Sequence, residues 1–205
     1  MKEIKEEKQY DYKKTHLEYQ ITEYDCGPIS VLNALRYLFN RDEIVPEIYK
    51  HIIDISLDQS DINGEQGKGG TSTKAIEELC DWINHNASLK GMNILCKSLP
   101  KGECSIYNKQ LEETIKNNGV AILRVWQKSE HYCLLTKLDE DYAYIFDPYY
   151  FDIKYYDNDD ACEIITDKSF EYNRKVLKSR LAENSKNDFA LVQGENQQII
   201  LMMRG

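Results

Sequence analysis

Gln20-Ile21-Thr22-Glu23-Tyr24-Asp25-Cys26-Gly27-Pro28 sets a cysteine at the mouth of a helix. From Gly27 to about Phe39, Ile29, Leu32, Leu35 and Leu38 recur at near-helical spacing, Val31 and Phe39 widen the stripe, and Pro28 sits where a first turn tolerates a missing N–H. The spacing predicts a buried helix. Its start offers unpaired backbone N–H groups and the positive end of the macrodipole, both of which favour an anion. Cysteine attacks a carbonyl as its thiolate, and an ordinary thiol is mostly protonated near neutrality. Cys26 is therefore a candidate nucleophile, and Gly27 leaves room beside it for a substrate backbone. The competing reading is an inert core cysteine, the commoner fate of a buried thiol.

Outward from this helix the period of the chain changes. Residues 54 to 71 are rich in Asp, Ser, Asn and Gly and read as a loop. A second helix begins at Thr71 or Ser72, with Ala75, Ile76, Leu79 and Ile83 on one face, and a third spans about Asn108 to Asn118 with Gly119 as its stop. Val120 to Trp126, His131 to Leu138 and Tyr142 to Phe146 then read as strands, with Asp139-Glu140-Asp141 as a hairpin turn. Helices followed by antiparallel strands is an α+β pattern. The 205 residues fit one domain, with residues 1 to 19 as an N-terminal arm and 151 to 187 as a charged insertion or tail. A helix containing Phe170, Val176, Leu177 and Leu181 is expected in that tail, and Ala190 to Val192 and Ile199 to Met203 return as strands.

A nucleophile needs a base, and the chain has four histidines. His16, His51 and His85 lie in polar surroundings, whereas His131 opens an apolar strand and stands at the rim of a core. A hydrogen-bonded structural histidine is the alternative. With the turn centred on Glu140 and Leu138 opposite Tyr142, Asp147 lies opposite Cys133, a diagonal neighbour of His131 about 7 to 8 Å away. There it would hold one imidazole nitrogen and leave the other to take the thiol proton. A one-residue slip would carry Asp147 to the other face. Gln20, upstream of Cys26, is placed to offer an amide N–H to the oxygen of a tetrahedral intermediate. Taken alone, it reads as a surface glutamine.

The Gln20 to Pro28 stretch and its helix resemble the active-site opening of bacteriocin-processing, double-glycine-leader cysteine peptidases, a branch of the papain-like superfamily. His131-Tyr132-Cys133-Leu134-Leu135 and Tyr144-Ile145-Phe146-Asp147-Pro148 are similar to that family's histidine and aspartate segments, and Gly70-Thr71-Ser72 also matches. The resemblance implies a papain-like fold, with the nucleophile on the N-terminal helical part and His and Asp on a C-terminal antiparallel sheet. It implies Cys26 as nucleophile, His131 as general base and acid, Asp147 as orienting group and Gln20 in the oxyanion hole. The Cys-Gly-Ser-Cys-Trp signature of plant and lysosomal papain-like proteases is missing. Neither the transporter that such leader peptidases usually carry nor a propeptide is expected here.

Composition narrows the partners. A net charge of -9 argues against nucleic acid, and no window approaches the ~18 apolar residues of a membrane helix. A charged N-terminus without an apolar stretch points to the cytoplasm, where the six cysteines would be free thiols. Cys80, His85, Cys96 and Cys104 lack the paired spacing of a zinc site, and no cofactor is expected. The expected substrate is a peptide-like or carrier-protein-bound acyl group, with water or an amine as acceptor. A non-catalytic binding module that kept the fold is the contrasting class.

Overall fold

The computed structural model describes residues 14–205, so most of the expected N-terminal arm lies outside the described residues. The chain opens with α1 (Cys26–Leu38), α2 (Pro46–Ser56) and α3 (Thr73–Leu89). α1 is buried along almost its whole length, as its wide apolar stripe requires. Buried Asn33 uses both ends of its amide on the Glu18 backbone, accepting from N–H at 2.8 Å and donating to C=O at 2.9 Å, which ties the incoming chain to the helix. The loop expected from residue 54 begins after Ser56, because Ile52 and Ser56 continue the buried face of α2. Of the two candidate caps for α3, Ser72 is the one used: its Oγ accepts from the Ala75 N–H at 3.0 Å. An unforeseen strand, β1 (Ile94–Ser98), follows.

α4 (Lys109–Lys116) is capped by Asn108, whose side chain accepts from the N–H groups of Gln110 and Leu111. The left-handed residue at its end is Asn118 (φ 61°) rather than Gly119. Gly119 is needed for another reason: a side chain there would overlap Thr114 and the Met202 carbonyl.

The remaining strands are β2 (Val120–Gln127), β3 (Ser129–Leu138), β4 (Tyr142–Phe146), β5 (Cys162–Ile164), β6 (Arg174–Leu177) and β7 (Ile199–Arg204), with a short α5 (Lys178–Leu181). They form one seven-stranded antiparallel sheet in the order β1-β7-β2-β3-β4-β6-β5. Val31, Leu35, Ile76, Leu79, Ile122, Leu134 and Phe146 fill the core under α1 and α3. Leu111, Leu123, Cys133, Leu135, Ile145, Val176 and Leu181 fill a second core on the opposite face. The architecture is α+β, with Cys26 on the N-terminal helix and His131 and Asp147 on the antiparallel sheet, as the sequence predicts.

Two expectations fail. The helix expected to hold Phe170, Val176, Leu177 and Leu181 is absent: Val176 and Leu177 lie in β6, Leu181 in α5, and Phe170 in a turn stacked on the His16 ring. A strand beside β4 and a short helix directly after it share the apolar positions that suggested one continuous helix. Ala190 to Val192 is no full strand either, pairing only through a Val125–Leu191 bridge.

The hairpin register is the other revision. The turn is tighter than expected, with the Asp139 N–H on the Tyr142 carbonyl at 3.0 Å and the Asp139 carboxylate accepting from the N–H groups of Asp141 and Tyr142. Leu138 therefore faces Ala143, one residue off the expected pairing. A bulge between Leu135 and Lys137 then cancels the offset, so that Leu135 faces Ile145 and Leu134 faces Phe146. The extra residue, Thr136, donates its hydroxyl to the Tyr144 carbonyl at 3.2 Å. Beyond the bulge the register is the one that sets Asp147 beside His131.

Candidate active site

Cys26 is the first residue of α1. Asp25 precedes the helix but does not cap it; its carboxylate turns back to accept from the N–H groups of Ile21 and Thr22 at 3.2 and 3.0 Å, closing the Gln20–Cys26 loop. The first turn carries no acidic residue, so its positive end faces the sulfur uncancelled from within. A side chain at Gly27 would overlap Thr71, so glycine is what lets the Gly70-Thr71 loop close against the helix start. Gly70 itself is left-handed (φ 89°).

His131 reaches this point from β3. Its Nε2 lies 2.8 Å from Asp147 Oδ1, which leaves Nδ1 as the ring nitrogen for the thiol. Burial pushes the Cys26 thiol up, but the charge of His131, a hydrogen bond to its ring and the Tyr132 backbone N–H together outweigh burial and hold the thiol below its ordinary range. Burial alone would depress His131; the charges of Cys26 and Asp147 reverse this and raise it to about 10. Asp147 is fully buried, which favours its neutral form, yet the positive charges of His131 and Arg174 hold it below the usual carboxylate range. His131 and Asp147 are thus joined by a hydrogen bond, and the charge of His131 lowers the Cys26 thiol, which favours the thiolate–imidazolium arrangement.

Gln20 is tied by its backbone to the segment after Asp147, its N–H donating to the Pro148 carbonyl at 2.8 Å. Its Nε2 donates to the Thr22 carbonyl at 2.7 Å, while Oε1 is buried without a partner. Turning the amide over would set two acceptors against each other, so Nε2 keeps one N–H on Thr22 and one free. The other histidines lie elsewhere: His16 bonds Ser169 Oγ, His51 stacks on Trp82, and His85 is exposed. All six cysteines are free, and among the described residues no three potential metal ligands converge.

A cleft of about 260 Å³ opens at Cys26 between Glu23, Gly69, Gly70, Thr71, Arg124, Glu130 and Tyr132. The Thr71 hydroxyl is buried there without a partner. Arg124 pairs with Glu130 at 2.7 Å and donates to the Tyr132 hydroxyl at 2.9 Å, which in turn donates to Gln198 at 2.7 Å. Gln198 donates to the Thr73 carbonyl at the start of α3, so one wall of the cleft is braced across the sheet–helix boundary. A larger hollow of about 450 Å³, lined by Tyr37, Glu112, Lys137 and Lys178, lies away from Cys26.

No protein-family model matches the chain, and no curated protein matches it. Three solved structures superpose on it over most of its length. A double-glycine-motif protease from an AMS/PCAT transporter, in complex with the leader peptide, is 15% identical with a TM-score of 0.43, covering 94% of this chain and 93% of that one. The peptidase domain of Streptococcus mutans ComA is 14% identical with a TM-score of 0.42, over 91% and 98%. That of Streptococcus ComA, a bifunctional ABC transporter of a quorum-sensing pathway, is 16% identical with a TM-score of 0.43, over 93% and 98%.

Several site residues had no signal in the sequence. Gln127 Nε2 donates to Asp147 Oδ2 at 2.7 Å, and the Asn173 side chain bonds both the N–H and the C=O of Asp147 at 2.7 and 2.8 Å. Arg174 lies 3.5 Å from Asp147 Oδ2. Gln127 ends β2, and Asn173 precedes Arg174, the first residue of β6, within the stretch read as a charged tail, so only strand order brings them to Asp147. Tyr149, two residues past Asp147, donates its backbone N–H to Oδ1 at 2.9 Å and its hydroxyl to Glu23, linking the aspartate loop to the nucleophile loop.

Proposed function

We propose that the protein is an acyl-transfer enzyme that works through an acyl-Cys26 thioester on a narrow peptide-like substrate. The observation that carries this is the buried Cys26–His131–Asp147 chain at a helix N-terminus, with the thiol held low and the imidazole held high. The Cys26 thiolate attacks a substrate carbonyl carbon, forming a C–S bond and an oxyanion. Backbone N–H groups at the start of α1 and the free N–H of Gln20 stabilise that oxygen. Collapse breaks the bond to the leaving amine or thiol as His131 donates its proton to the leaving atom. An acceptor then attacks the thioester carbonyl, His131 takes the acceptor's proton, and Cys26 leaves as thiolate. Water as acceptor completes amide or peptide cleavage; an amine completes amide formation, with a carrier-protein thioester as a fitting donor.

The polar cleft at Cys26, lined by Gly70 and Thr71 on one side and Arg124, Glu130 and Tyr132 on the other, supports a narrow substrate. Two experiments test the reading. Iodoacetamide should label Cys26 faster than the other five thiols, and Cys26→Ala should abolish turnover; equal labelling with full biological activity of Cys26→Ala would indicate a binding module instead. Trapping the acyl-enzyme by mass spectrometry and then offering water alone or candidate amines identifies the acceptor, and turnover indifferent to amines would sink amide formation.

A further inference from the structure

Asp147 is held by more groups than the orientation of one imidazole requires. Its Oδ1 takes His131 and the Tyr149 N–H; its Oδ2 takes Gln127 and faces Arg174. Arg174 is itself only 2% exposed. Nη1 donates to the Asn173 carbonyl at 3.0 Å and Nη2 to the Tyr149 carbonyl at 3.0 Å, while Nε is buried without a partner. A guanidinium so enclosed is costly unless its charge is met, and among the described residues Asp147 is the carboxylate within ion-pair reach of it. When Cys26 is a thiolate and His131 an imidazolium, the buried cluster holds two negative and two positive charges. Without Arg174 it would hold a net negative charge.

From this geometry we infer that Arg174 is a positioning residue: its fixed buried charge neutralises Asp147 and so keeps the Cys26–His131 ion pair balanced. The inference rests on the Cys26, His131 and Asp147 roles proposed above. Asp147 acts on both partners, attracting the His131 proton and repelling the Cys26 thiolate. Arg174 offsets both effects, which favours the thiolate and leaves His131 able to release its proton to a leaving group. The other titratable groups facing Asp147 and Arg174 are Cys133 from β3, Cys162 from β5 and Tyr156 from the segment before β5, pushed up by burial, and Tyr149 after β4, pushed up by its hydrogen bond to Glu23; all are neutral near pH 7. Gln127 and Asn173 orient the carboxylate but bring no charge.

The test uses the full chain and reads Cys26 directly, as the pH dependence of its alkylation by iodoacetamide resolved by mass spectrometry, beside the pH profile of turnover and thermal melting. In Arg174→Gln the acid limb of Cys26 alkylation should rise by about one pH unit, a loss of about tenfold in rate below the limb. Arg174→Lys should restore most of that limb while remaining less stable, since an ammonium cannot serve the Tyr149 carbonyl and Asp147 together as a fork does. A folded Arg174→Gln whose acid limb coincides with the parent overturns the inference. If Arg174→Gln does not fold, Asp147→Asn is compared with Asp147→Asn/Arg174→Gln, where no carboxylate is left uncompensated. Loss of the arginine charge should again raise the limb by about one unit, and coincident limbs overturn the inference. A parent protein whose Cys26 reacts only in the ordinary thiol range would instead overturn the proposed function itself.

Discussion

Cys26 is placed by a single loop and the helix it enters, whereas His131 and Asp147 are placed by four strands. On the helix side, Asp25 closes the Gln20–Cys26 loop on its own backbone neighbours, and Gly27 admits the Thr71 loop. On the sheet side, Gln127 of β2, His131 of β3, Asp147 after β4 and Asn173-Arg174 at β6 meet in one buried network. The first kind of assembly places the candidate nucleophile with few atoms at little structural cost. The second ties the candidate site to folding, because each buried charge there depends on partners far off in the chain.

The sharpest way to break this contrast is to remove one group from each side. Cys26→Ala should lower turnover by about 10⁶-fold while leaving unfolding free energy within about 1 kcal/mol of the parent. Asp147→Ala should lower turnover by about 10⁴-fold and also cost about 3–5 kcal/mol in denaturant unfolding, because Arg174 is left buried without a counter-charge. Equal stability of the two variants would erase the distinction.

Gln20→Ala should cost about a hundredfold in kcat with KM little changed, as expected of a donor that acts on the oxyanion alone; a loss confined to KM would place Gln20 in substrate binding. Gly27→Ala should destabilise by about 1–3 kcal/mol through overlap with Thr71, a local cost that circular dichroism melting would reveal without loss of the His131–Asp147 pair.

The two sides should also separate by pH. The pair needs Cys26 deprotonated, so activity is lost as pH falls through the depressed Cys26 value. It needs His131 protonated to release the leaving group, so activity is lost again as pH rises through about 10. A kcat/KM profile with an acid limb in the ordinary thiol range would contradict the coupling of the two halves.

The legibility of the site follows the same division. Cys26 could be read because its cues, the apolar stripe of α1, Pro28 and Gly27, are all within helical reach. His131 and Asp147 could be read because strand alternation carries information along a hairpin, but the expected turn was one residue too wide and the Thr136 bulge restored the pairing. Neither error was visible from residue types, since Asp139-Glu140-Asp141 suits either turn. Asn173 and Arg174 could not be read at all: they are polar residues in a polar stretch, and nothing local marks them as buried.

The sequence by itself determined the α+β order, the helix that presents Cys26, the strand that carries His131 and the strand that leads into Asp147, because periodicity and capping act over a few residues. Only the tertiary structure decided that β6 lies beside β4, and with it that Asn173 and Arg174 close over Asp147. That choice belongs to strand order, which is set by burying two faces of one sheet at once. No local pattern encodes which distant polar residue ends up as the counter-charge.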